Sequence, residues 1–119
     1  MFRQCTNLVQ APQLPATTVD RRCYESMFLQ CSSLITPPSS LPATDLVSGC
    51  YIRMFDRCTS LTAAPDLPAT GLAINCYDHM FNSCSSITSI SENYLPATEL
   101  APSCYCAMFE GCSSLTTTI

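Results

Sequence analysis

The residues of this 119-residue chain with most chemistry to offer are ten cysteines and one histidine. Nine cysteines fall into two periodic series: Cys5, Cys31, Cys58, Cys84, Cys112, and Cys23, Cys50, Cys76, Cys104. Their spacings of 8 and 18–20 residues match no usual zinc knuckle. Cys104-Tyr105-Cys106 is a Cys-x-Cys without a second pair in sequence. His79 has Asp78 beside it, a combination that could act as a general base, but no motif supplies a nucleophile. The serine pairs Ser32-Ser33, Ser85-Ser86 and Ser113-Ser114 recur at one point of a repeat, where hydroxyls satisfy turn backbone. The expectation is therefore no catalytic residue, no cofactor and no metal.

The repeat that positions these residues is explicit. Met-Phe recurs at 1–2, 27–28, 54–55, 80–81 and 108–109, in steps of 26, 27, 26 and 28 residues. A Cys follows each Phe by three residues, and Leu or Ile follows that Cys by three more. Leu-Pro-Ala-Thr then recurs at 14–17, 41–44, 67–70 and 95–98, and Cys-Tyr at 23–24, 50–51, 76–77 and 104–105. A period in this range is decided by architecture, because one unit cannot bury its own apolar face. The reading is a single domain over 1–119, with repeats 1–26, 27–53, 54–79, 80–107 and a partial 108–119, a fragment of a longer array. Length changes fall at 37–40 and 90–94, which are expected to be surface bulges.

Within a repeat, Cys23, Tyr24, Met27, Phe28 and Cys31 share one arc at about 100° per residue. This predicts an amphipathic helix with one buried stripe. Thr17, Thr44, Thr70 and Thr98 fit its start, and Asp45 and Glu99 suit the positive end of its dipole. Ser33-Leu34-Ile35-Thr36 and its equivalents predict a short strand, ended by Pro12, Pro37 or Pro65. Strand, extended Pro-containing return and helix together predict a short right-handed α/β leucine-rich-repeat solenoid of about four and a half repeats.

Composition excludes several functions. Charged residues are 12% and apolar residues 47%, which argues against disorder. Five Arg, no Lys and a net charge of −4 argue against nucleic acid. No apolar run approaches the roughly 18 residues of a membrane span, and the start shows no signal-peptide pattern. Arg21-Arg22, Arg53 and Arg57 read as isolated charges.

Met-Phe-x-x-Cys-x-Ser-Leu-Thr joined to Pro-x-Leu-Pro-Ala-Thr and Cys-Tyr, as in 54–77, resembles the BspA-like leucine-rich repeats of bacterial and protist surface proteins. The resemblance covers essentially the whole chain, with departures at Asn7, Ile87 and 90–94. It implies a horseshoe-like solenoid used in attachment and a cell-surface or secreted setting, and it carries over no catalytic residues.

Three readings of the cysteines remain open: small buried hydrophobes, disulfides, or metal ligands. On a helix the two series stand about 12 Å apart, beyond the roughly 7 Å between Cα atoms that a disulfide spans. Cys106 occupies the position of Glu25, Ile52 and Asp78, which faces solvent, so it should be the most accessible thiol and should react before Cys58.

If repeated positions make the core, binding must use the others. On the strand these are Val9-Gln10, Ile35-Thr36, Thr62-Ala63 and Thr88-Ser89. The candidate ligand-binding residues are Gln10, Gln13, Thr36, Ser39, Asp66, Ser89, Asn93 and Tyr94, with Tyr94 either an anchor for a partner or a packing residue over its loop. The expected partner is a protein or glycan, such as a host surface or matrix. The alternative is a structural, self-assembling subunit of a larger surface assembly or filament, because the chain lacks polar caps at either end.

Overall fold

The buried stripe has the residues expected of it, but the backbone beneath it is not helical. In the computed structural model, which describes residues 2–88, 90, 94–96, 101 and 103–115, no helix occurs among the described residues. Residues 51–58 show what replaces it. The amides of Ile52, Met54, Asp56 and Cys58 each donate to the carbonyl three residues back, at 3.1–3.2 Å. The amides between them leave the repeat altogether. Tyr51 donates to Cys76, Arg53 to Asp78, Phe55 to Met80 and Arg57 to Asn82, at 2.8–3.1 Å. The same alternation runs through 24–30, bonded to 50–56, and 77–83, bonded to 104–110. Each repeat is a ribbon of consecutive turns, and every second amide is satisfied by the next ribbon.

Left-handed residues set the rhythm. Positive φ occurs at Arg22, Ser26 and Gln30, at Gly49, Arg53 and Arg57, at Asn75, His79 and Ser83, and at Ser103, Ala107 and Gly111. They recur every four residues. In the turn Tyr24–Met27 the left-handed residue is the third, the signature of a type II turn. The intervening turn Ser26–Leu29 has none at its central residues, Met27 and Phe28. This gives two residues inward and two outward, a period of four. Over the nine residues from Cys23 to Cys31, a period of four and one of 3.6 place the apolar residues almost identically. The expected helix fails for that reason. At Gly49 a side chain would also be crowded, because a Cβ would stand 3.1 Å from Arg22 Cγ and Ile52 Cδ1.

The expected α/β leucine-rich-repeat solenoid is accordingly overturned. Among the described residues, strands are replaced by three isolated parallel bridges, Gln10–Thr36, Ser40–Asp66 and Asp45–Gly71. Asp45, expected near a helix start, lies in the last of these. The radius of gyration is 12.8 Å and the extents are 35 × 30 × 21 Å. A compact globule of this length should measure about 13.5 Å, so the chain is a globule and not an open horseshoe. Nor is 37–40 wholly a surface bulge, since Pro37 and Pro38 are buried. Residues 91–93 of the other bulge, Thr98, Glu99, and 116–119 of the expected last strand lie outside the described residues.

Packing follows from the cross-ribbon bonds. Phe2, Phe28, Phe55, Phe81 and Phe109 form one column of parallel rings, with centroids 5.3–5.5 Å apart. Tyr24, Tyr51, Tyr77 and Tyr105 form a second, at 5.8–5.9 Å. Such pairs contribute about 0.5–1.5 kcal/mol each beyond the area they bury. Phe28, Phe55, Phe81, Met54 and Met80 have no exposed surface. The cysteine that ends each ribbon has a specific task. Cys31, Cys58, Cys84 and Cys112 donate their thiols to the carbonyls of Phe2, Phe28, Phe55 and Phe81, at 2.9–3.1 Å. A small side chain that tolerates burial and still carries a weak donor fits this position.

The left-handed ribbon and a helix predict opposite signs for one substitution. Ala107 has φ 49°, where a Cβ is disfavoured, so Ala107→Gly should raise stability by about 0.5–1 kcal/mol in urea unfolding. In a helix the same change would lower stability by about 1 kcal/mol.

Candidate functional site

Two exposed regions gather residues that the core does not consume. The first is the strip along 9–13, 35–39 and 62–66. The Ile35 amide donates to the Val9 carbonyl at 2.8 Å and the Ala11 amide to Thr36 at 2.9 Å, which sets these segments side by side. Inward side chains here are Leu34, Leu61 and Ala11, all buried. Outward ones include Val9, Gln10, Ile35, Thr36, Thr62 and Ala63. Val9 and Ile35 are 51% and 45% exposed, unusual for large aliphatic side chains held next to each other.

The candidate strip residues are brought together only in part. Gln10 and Thr36 face each other across a bridge and are exposed. Gln13 and Ser39 are exposed but engaged with one another, since Gln13 Oε1 accepts from the Ser39 amide at 3.1 Å and hydroxyl at 3.0 Å. Asp66 is exposed, and its amide donates to the Ser39 carbonyl at 3.1 Å. Tyr94 is not an exposed anchor. It is buried, and its hydroxyl donates to the Pro65 carbonyl. Ser89 and Asn93 lie outside the described residues. Val9 and Ile35, outward by their place outside the repeated positions, are exposed beside Gln10 and Thr36.

The second region lies on the outer face of the turn ribbons. Asp78, His79 and Cys106 offer a carboxylate oxygen, a ring nitrogen and a thiol within 4.8 Å of one another. His79 Nδ1 contacts Asp78 Oδ1 directly, and the His79 amide donates to the Cys106 carbonyl at 2.9 Å. Among the described residues this set could hold a metal ion, which no motif spacing predicts. The signal was the register: Cys106 falls on the position of Asp78, one repeat on.

The arginines are less isolated than their spacing suggests. Arg3, Arg53 and Arg57 line one groove of about 420 Å³ with Glu25 and Asp56. Asp56 is buried at 1% exposure and pairs with Arg53 at 3.0 Å. Its Oδ1 has no hydrogen-bond partner among the described residues. Three guanidinium groups and two carboxylates largely compensate one another here.

All ten cysteines are free. Burial pushes the thiols of Cys50 and Cys58 up from an ordinary 9.0 to about 12 and that of Cys76 to about 11. Cys84 is pushed higher still by burial, with the neighbouring thiols of Cys58 and Cys112 adding to it. A buried thiol that resists ionisation is a poor nucleophile and a poor metal ligand. Cys23 and Cys106 are exposed, Cys5 and Cys112 half-buried.

Two outcomes follow. At pH 8, alkylation of the folded protein should modify Cys23 and Cys106 first and spare Cys50, Cys58, Cys76 and Cys84, as mass spectrometry can map. The raised pKa values also fix a pH dependence. Above about pH 9 the unfolded chain loses thiol protons that the folded chain keeps, so stability should fall as pH rises toward 12. Each such thiol removes about 1.4 kcal/mol per pH unit in that window, which urea unfolding at pH 8, 9 and 10 would reveal. No family model, curated protein or solved structure matches this chain.

Proposed function

We propose that the chain is a non-enzymatic binding module that presents the strip around Val9, Gln10, Ile35 and Thr36 to a protein or glycan of a cell surface or matrix. One observation supports this reading most: two large aliphatic side chains, Val9 and Ile35, remain 51% and 45% exposed on backbone fixed by cross-ribbon hydrogen bonds. A rigid apolar pair rimmed by Gln10, Thr36 and Thr62 has the makeup of a recognition surface, with an anchor at its centre and donors and acceptors around it. A preordered backbone also reduces the entropy cost of docking. The resemblance of 54–77 to BspA-like repeats adds the attachment role and the surface setting. The buried thiols, which resist ionisation, give no support to a nucleophilic enzyme.

The test is a panel of immobilised collagen, laminin, fibronectin and defined glycans, probed with the protein labelled at Cys23. Binding to at least one member is expected, and Ile35→Asp should weaken it at least tenfold. Pro12→Ala, outside the aliphatic pair, should leave it within about twofold. Full binding by Ile35→Asp, or no binding to any member, would count against the proposal.

A further inference from the structure

We infer that Asp78, His79 and Cys106 form a binding site for one thiophilic divalent cation of the Zn²⁺ type. Nine of the ten cysteines belong to the two repeated series, and Cys106 is the one that does not. His79 is the chain's single histidine. They come together because Tyr77 and Tyr105 stack at 5.8 Å, which aligns Asp78 with Cys106 in adjacent ribbons. The corresponding pairs in other repeats, Glu25-Ser26 and Ile52-Arg53, have neither imidazole nor thiol. The repeat therefore does not require these residues, and the core does not use them.

The donor set selects the ion. Thiolate, imidazole and carboxylate together suit Zn²⁺, whereas Mg²⁺ and Ca²⁺ prefer all-oxygen shells. Bonds of about 2.0–2.3 Å place tetrahedral donors roughly 3.3–3.7 Å apart. The three donors already lie within 4.8 Å, so side-chain rotation closes the remainder. The Asp78 and His79 side chains are 22% and 25% exposed, and Cys106 is exposed, so an ion reaches them from solvent without opening the core. Arg53 stands one ribbon away in the column of His79, but its charge is met by Asp56 at 3.0 Å. Binding releases the Cys106 thiol proton to buffer, and water fills the fourth position.

The experiment uses the whole reduced chain, with Zn²⁺ as the probe. Calorimetry should give one Zn²⁺ per chain. Zn²⁺ should slow iodoacetamide alkylation of Cys106 at least tenfold and leave Cys23 unchanged. His79→Asn should abolish that protection, and Asn suits the left-handed backbone there (φ 55°), so the variant should keep its fold. Cys106 alkylated at the same rate with and without Zn²⁺ would overturn the site. So would equal protection of Cys23, or protection that survives His79→Asn, because either marks adventitious binding to single thiols.

Discussion

In a helix every interior amide finds its acceptor within the same segment. Here only every second one does. Tyr51, Arg53, Phe55 and Arg57 point their N–H groups out of the ribbon, and each needs a carbonyl from another repeat. Once another ribbon covers this edge and excludes water, each amide left without a partner would cost about 1–3 kcal/mol, so ribbons can stack only in a register that supplies four carbonyls. The demand is met because an equivalent ribbon lies alongside in register. Register in turn places Phe on Phe and Tyr on Tyr, and it brings each terminal cysteine thiol to the Phe carbonyl of the preceding repeat. The Phe28 carbonyl thus accepts from the Cys31 amide of its own repeat and the Cys58 thiol of the next. Hydrogen bonding and core packing are two results of one alignment.

What was legible in the sequence was the identity of the core, and what was not was the path of the backbone. Recurrence points Met27, Phe28, Cys31 and Leu34 inward, and all are buried, whereas Cys23 of the same expected stripe is exposed and Tyr24 half-buried. The expected helix rests on the nine residues from Cys23 to Cys31, too few to separate a period of 3.6 from one of four. The sequence did contain a discriminating sign. The left-handed columns hold Gly49 with Asn75 and Gly111 with Ser83, residue types that tolerate positive φ, and no β-branched residue enters any of them. That pattern becomes visible only after the repeats are aligned at four-residue intervals.

The candidate surface was legible to a lesser degree. Gln10 and Thr36 are exposed neighbours, but Gln13 and Ser39 satisfy each other, and Tyr94 turns inward to the Pro65 carbonyl. A tyrosine in an irregular loop gives no sequence clue to its direction, because no periodicity governs it. Val9 and Ile35 are legible as surface because they fall outside the repeated positions, and both are exposed. The grouping of Asp78, His79 and Cys106 depends on contact between repeats 27 residues apart, so it required the register as well as the residues. Variation is thereby confined to outward positions, and both exposed regions draw on it while the core series stay fixed.

The alternation of amide acceptors is most directly measured by scalar coupling across hydrogen bonds in the isotopically labelled protein. Correlations from the Arg53 and Phe55 nitrogens to the carbonyl carbons of Asp78 and Met80 should appear, with Met54 coupled to Tyr51. Couplings from Arg53 and Phe55 to carbonyls four residues back in their own repeat would contradict the ribbon and restore a helix.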